Sequence, residues 1–197
     1  MKFIHISDIH LVSKESLLNG SIPSKRLEKC LDDILKWHSD AEFCVISGDL
    51  SEFAEKKAYQ SLKNRLQEFP IPFFLMIGNH DDRDVFQTVF PDNPCDQNNF
   101  VQTSFETSEG IFLFLDTKKQ GENVHDGELC EKRLAWLKMQ LINAGTKQTY
   151  LFMHHPPFEI GIPYMDKIRL FGAEQFLSTF SHGENIQHIF YGHVHRI

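Results

Sequence analysis

Five short stretches of this chain concentrate side chains able to hold a metal ion. They are Ser7-Asp8-Ile9-His10, Gly48-Asp49-Leu50, Gly78-Asn79-His80-Asp81, His154-His155-Pro156-Pro157 and Gly192-His193-Val194-His195. Aspartate, asparagine and histidine recur in them, and none contains cysteine. Such a nitrogen and oxygen donor set suits manganese, iron or zinc rather than a thiolate-bound metal. Residues two apart on an extended strand share a face, so His193 and His195 are expected to point the same way. A glycine precedes Asp49, Asn79 and His193, where it lets the backbone turn sharply. One D-x-H or one G-D is weak by itself, because a lone histidine at a strand end is more often solvated than ligating. Five clusters together are hard to explain by packing, since burying so many polar groups without compensation is costly.

Each cluster follows one of six short apolar runs. The runs Phe3–Ile6, Phe43–Ser47, Pro72–Ile77, Ile111–Leu115, Thr149–Met153 and His188–Tyr191 read as strands buried on both faces. Amphipathic stretches separate them. "SKRLEKCLDDILKW" places Leu27, Cys30, Leu31, Ile34 and Leu35 at helical spacing, with Pro23 near the helix start. "AEKKAYQSLKNRL" sets Ala54, Ala58, Leu62 and Leu66 one turn apart, and "GELCEKRLAWLKMQL" does the same with Leu134, Leu137 and Leu141. The segment from Asn99 to Leu115 lacks a helical pattern and is expected to form a hairpin. Strands alternating with helices indicate an α/β fold. In such sheets ligands bind outside the carboxyl ends of the strands, so the five clusters should converge on one rim.

At 197 residues, one domain spanning 1–197 is the expectation. A net charge of −7 argues against a broad surface for a nucleic acid polymer or an anionic membrane. A small anion is still welcome where a bound cation reverses the local sign. The four cysteines form no C-x-x-C pair and demand no disulfide framework. The start, "MKFIHISDIH", is too short and polar for a signal peptide, and no apolar run approaches membrane length. A cytoplasmic protein is expected.

The ordered series D-x-H, G-D, G-N-H-D, H-H-P-P and G-H-x-H resembles the signature of the calcineurin-like metallophosphoesterases, and here it runs from Asp8 to His195. "GELCEKRLAWLKMQL", "HHPP" and "YMDKIRL" look like the class III cyclic-nucleotide phosphodiesterase and glycerophosphodiesterase branch. The resemblance implies a four-layer αββα sandwich, two mixed sheets flanked by helices. It assigns one divalent ion to Asp8, His10 and His195 and a second to Asn79, His154 and His193, with Asp49 bridging both. His155 stands beside a ligand, either supporting it or stiffening the turn. His80 matches the family's non-ligand histidine, which contacts the phosphate or leaving group, and Asp81 would orient it. The resembled branch continues well past G-H-x-H and adds strands to the second sheet; either this sequence is a shortened piece or those strands are missing.

Two such ions roughly 3.5–4 Å apart can bridge a hydroxide and clamp a phosphate for in-line attack. Two divalent cations against two aspartates leave the site positive, which suits a monoanionic diester. The expected function is therefore hydrolysis of small phosphodiesters, a cyclic nucleotide or a glycerophosphodiester. A phosphomonoesterase or a nuclease is the enzymatic alternative, the nuclease being disfavoured because no basic groove is evident. A non-catalytic adaptor of the same fold would usually have lost ligands, and this series is complete. His125, in a polar loop before a helix, and Asp166 and Arg169, in the loop after HHPP, are candidate substrate contacts. A homo-oligomer is left open.

Overall fold

The protein is described by a computed structural model that covers all residues except 15, 19, 122, 123, 183, 184, 196 and 197, and the side chain of 182. The first sheet is built of β1 (Phe3–Ile6), β2 (Phe43–Ser47) and β3 (Phe73–Met76), paired in that order and all parallel. Helices α1 (Pro23–Trp37) and α2 (Lys56–Gln67) make the crossovers, and α3 (Arg83–Val89) follows β3. β4 (Thr103–Thr107) and β5 (Gly110–Phe114) form the expected antiparallel hairpin. The chain continues through β6 (Gly127–Glu128), α4 (Glu131–Ala144), β7 (Thr149–Phe152), α5 (Pro163–Asp166), β8 (Leu170–Phe171), α6 (Ala173–Ser178), a 3₁₀ turn at Thr179–His182 and β9 (Ile186–Phe190). The second sheet has the order β4-β5-β7-β9 and is mixed, because β7 and β9 run parallel to β5. β6 and β8 pair separately.

Three apolar clusters fill the gaps between four layers. Alternation along β2 sends Cys44 and Ile46 outward, where they meet Leu27, Leu31 and Ile34 of α1 and Ala58, Tyr59 and Leu62 of α2. Phe43 and Val45 face inward against Phe112, Phe114 and Phe152 of the second sheet. Leu113 and Leu151, on the far side of that sheet, pack under Leu137 and Leu141 of α4. The inter-sheet layer is dominated by phenylalanine: Phe74 stacks on Phe114 at 4.6 Å and Phe152 on Phe190 at 4.6 Å. Bulky planar side chains on both inner faces hold the two sheets at a fixed separation, and so fix the distance between their rims.

All six apolar runs are strands, and the order helix on sheet, sheet on sheet, sheet on helix is the αββα sandwich. Details differ from expectation for local reasons. The first sheet is wholly parallel, so the mixed character belongs to the second. The helix expected across "GELCEKRLAWLKMQL" begins only at Glu131, because Gly127–Glu128 is recruited as a strand by Leu170–Phe171. Ala54 has a left-handed φ of 52° and stays outside α2. Helix α3, only 7 residues long, is too short to show a period; Asp82 starts it by accepting a hydrogen bond from the Val85 amide at 2.9 Å. No helix of the described residues is long and apolar enough to cross a membrane.

Phe112 is fully buried between the sheets and touches Phe3, Phe43, Tyr150 and Phe152. Phe112→Ala should cost about 3–5 kcal/mol of stability, the usual range for emptying such a site. Urea unfolding of both proteins measures it, and a loss below about 1 kcal/mol would mean that the sheets do not depend on this layer.

Candidate metal centre

The loops leaving the strands are stitched together by their own backbones. The Asp8 amide donates to the Gly48 carbonyl at 3.1 Å and the His10 amide to that of Asp49 at 2.9 Å. The Gly192 amide donates to the His154 carbonyl at 3.1 Å, and the His193 amide reaches both Asp8 carboxylate oxygens at 3.0 and 3.1 Å. This last contact joins the two sheets, so the ends of β1, β2, β7 and β9 form one rim. Asp8, His10, Asp49, His193 and His195 all hold left-handed φ values between 46° and 68°. Among the described residues only Ala54 and Asn99 are the other non-glycines there. Each such residue costs about 1–3 kcal/mol, a cost the surrounding contacts must offset.

The glycines serve space more than turning. Gly48 does have a φ of 108°, but Gly78 has no such φ and is needed because a Cβ there would overlap the Asp49 carboxylate. The expectation that His193 and His195 share a face is also corrected. Both lie beyond the end of β9 in left-handed bends, and they diverge into two neighbouring groups.

The first group gathers Asp8, His10, Asp49 and His195, with ligand-type atoms all within 4.8 Å of one another. His10 Nε2 lies 3.0 Å from His195 Nε2, 3.6 Å from Asp49 Oδ2 and 3.9 Å from Asp8 Oδ1. His195 Nε2 is 3.1 Å from Asp8 Oδ1. In the second group His154 Nε2 lies 3.3 Å from Asp49 Oδ2 and 3.2 Å from Asn79 Oδ1. His193 completes it, its buried Nε2 without any hydrogen-bond partner. Asp49 Oδ2 faces both groups.

The donor chemistry fits a cation in each group. His154 donates from Nδ1 to the Ser47 carbonyl at 3.0 Å, which leaves Nε2 to take a cation or a proton. That nitrogen confronts a carboxylate oxygen and an amide oxygen, both acceptors. His10 Nδ1 sits 2.7 Å from Glu52 Oε2, close enough for an ion pair though out of line for a hydrogen bond, and its Nε2 likewise meets acceptors. Converging acceptors repel unless a positive charge, a metal ion or in its absence a proton, sits among them. His155 lies beside His154 and His193, but both of its nitrogens are taken, Nδ1 by the Thr117 hydroxyl at 2.8 Å and Nε2 by the His125 carbonyl at 3.2 Å.

The sequence pattern of a family described as calcineurin-like phosphoesterases matches residues 1–196. The chain belongs to that family. It is 36% identical over its full length to a "probable cyclic nucleotide phosphodiesterase" of Rhodopseudomonas palustris, of which it covers 72%. It is 29% identical, with the same coverage of both chains, to a "probable glycerophosphodiester phosphodiesterase" of Arcobacter nitrofigilis. Its fold is similar to that of a dimetal phosphatase from Danio rerio, with a TM-score of 0.74 and 16% identity over 98% of this chain and 81% of the other.

Within this phosphoesterase the remaining expected residues separate clearly. Asn79 donates from Nδ2 to His125 Nδ1 at 3.4 Å, which turns Oδ1 toward the second group and brings His125 to the rim. His80 is at the rim too, its ring 4.8 Å from that of His10 and 5.8 Å from that of His125. Asp81 does not orient it. The Asp81 carboxylate is buried and accepts from the amides of Gly78, Leu50 and Ser51 and from the Tyr59 hydroxyl, bracing the two loops from behind. His80 is instead held by Glu52, whose carbonyl faces Nδ1 at 2.9 Å while its carboxylate reaches His10. Glu52 was missed in the sequence, although its place three residues after Asp49 in the same loop is a signal. Asp166 and Arg169 join neither group: Asp166 accepts from the Ile160 amide at 2.8 Å, and Arg169 donates to the Asp166 carbonyl.

Burial and neighbouring charge set the protonation of the site. Burial pulls His154 down, but Asp49 outweighs it and pushes the imidazole up to about 9. Burial raises the Asp49 carboxyl, and the histidines around it, His154 foremost, hold it well below the ordinary carboxylate range. Burial and the nearby His154 lower His193 to about 4. Burial and the Asp49 charge push Asp81 up to about 6.

A proton therefore takes the cation's place on His154 when the protein is stripped by a chelator. The His154–Asp49 pair should then stabilise the stripped protein fully between about pH 4 and 6.5, and this contribution should fade as pH rises through about 9. Metal must expel that proton, so apparent affinity should rise by about tenfold per pH unit between 7 and 9. Competition against a chelator of known affinity measures it; a pH-independent affinity would contradict this placement of His154.

Proposed function

We propose that this chain, as one domain, hydrolyses small phosphodiesters at two divalent ions. Asp8, His10 and His195 hold one, Asn79, His154 and His193 the other, and Asp49 is shared. The observation that carries the reading is the single oxygen, Asp49 Oδ2, that faces one histidine nitrogen of each group, His10 Nε2 at 3.6 Å and His154 Nε2 at 3.3 Å. Manganese, iron or zinc suits these nitrogen and oxygen donors. Bound there, the ions would supply Lewis-acid polarisation of the phosphoryl group and an acidified water.

The chain's own residues do the rest. Neutral Asn79, in place of a third carboxylate, keeps the rim attractive to a monoanionic diester. His80 donates from Nδ1 to the Glu52 carbonyl, so Nε2 is the nitrogen left for the substrate. When protonated, that nitrogen can give its proton to a leaving alkoxide. His125, beside Asn79 and His80, faces the same substrate. Relatives named for cyclic nucleotides and for glycerophosphodiesters support both as the substrate class. Four free cysteines suit a reducing compartment, and the reading places the enzyme in the cytoplasm.

Assays of 2′,3′- and 3′,5′-cyclic nucleotides and glycerophosphodiesters with manganese supplied test the activity directly. His80→Ala should keep both metals and slow alkyl diesters by roughly 10²–10⁴, the usual effect of losing a general acid. Aryl diesters, whose leaving groups need less help, should suffer less. An unchanged alkyl rate, or metal lost together with activity, would contradict the role given to His80.

A further inference from the structure

A cavity of about 700 Å³ opens beside Asp8 and His195. Ile160, Ile162, Tyr191 and Val194 give it apolar walls, and Arg26, from the first turns of α1, is the one arginine or lysine among the described residues that lines it. The guanidinium is barely engaged. It donates to Ser21 Oγ at 3.3 Å and to the Asp8 carbonyl at 3.5 Å, both beyond the ordinary distance of about 2.9 Å. Among the described residues no carboxylate pairs with it. A guanidinium presents five donors in a planar fork that matches a carboxylate or a phosphate, so most of its capacity is unused.

Its position sharpens the point. The carbonyl it touches belongs to Asp8, a residue assigned to one of two cations, so an anion held by this exposed guanidinium would lie within reach of that site. The opposite wall is firm. Asp166 holds the Ile160 amide, and Arg169 holds the Asp166 carbonyl, so the two residues expected to touch substrate act by shaping the wall it would lie against.

We propose that Arg26 is a specificity residue that receives a second anionic group carried on one ester arm of the substrate. The arm's apolar part lies against Ile160, Ile162 and Tyr191, and its carboxylate or phosphate pairs with Arg26. The inference rests on the phosphodiesterase reading and names which diesters the site prefers.

Three matched 4-nitrophenyl diesters test it, their second arms being phenyl, carboxyphenyl or phosphonophenyl. The anionic arms should be favoured by about tenfold in kcat/KM, expressed in KM, as for one charged hydrogen-bonded contact. The larger of the two preferences tells whether a carboxylate or a phosphate is the better fit. Arg26→Gln should bring the ratio close to one, and Arg26→Lys should restore part of it. Calorimetric titration of the metal-loaded protein with the corresponding non-hydrolysable phosphonates should show the same ratio in binding. A ratio that persists in Arg26→Gln, or no preference in the parent protein, overturns the proposal. If none of the diesters is hydrolysed yet the phosphonates bind with the Arg26-dependent ratio, the phosphodiesterase reading fails and the anion site stands.

Discussion

Asp49 is a carboxylate with almost no contact with water, with imidazole nitrogens of His10 and His154 within 3.6 Å of one of its oxygens. A charge so placed is expensive unless a counter-charge lies against it. Much of the local architecture follows from keeping it there. Gly48 turns left-handed to present it, Gly78 forgoes a side chain to make room for it, and the His80 amide donates to its other oxygen at 2.9 Å. Asp81 then ties the loops of Asp49 and Gly78 to each other from the far side. The strain in Asp8, His10, His193 and His195 is the companion of this arrangement, since each must leave its strand and bend back toward the shared rim.

Such a rim needs a rigid mount. The aromatic layer between the sheets supplies it, because interlocked rings resist the sliding that would separate His193 and His154 on one sheet from Asp8 and Asp49 on the other. The contact from the His193 amide to the Asp8 carboxylate shows how the mount is used: two side-chain oxygens from the first sheet accept from one amide of the second. Glu52 extends the same logic outward. Its carboxylate steadies a histidine assigned to metal while its carbonyl steadies the histidine assigned to the reaction, so holding and reacting are referred to one residue.

The strands and the five clusters were legible in the sequence because both depend on local pattern: apolar runs of strand length ending in polar residues of one chemical kind. The long helices α1 and α2 were legible for the same reason. What escaped depended on contacts distant in sequence. Gly127–Glu128 is a strand only because Leu170–Phe171 lies alongside. Asp81 follows His80 directly, yet its carboxylate turns away because the amides of Leu50 and Ser51 await it. Glu52 stands outside the five clusters, and only the fold sets it against His10. Asp166 and Arg169 carried the right chemistry for a substrate contact, and the turn containing Ile160 claimed it first.

The shared role of Asp49 is best tested by counting metal. The parent protein, Asp49→Ala and Asn79→Ala would be dialysed identically, checked for folding by circular dichroism, and analysed by elemental mass spectrometry. A bridging carboxylate predicts about two ions per chain in the parent, close to none in Asp49→Ala and about one in Asn79→Ala. Equal, modest losses in the two variants would contradict the account, because Asp49 would then be one ligand among several rather than the oxygen on which both sites depend.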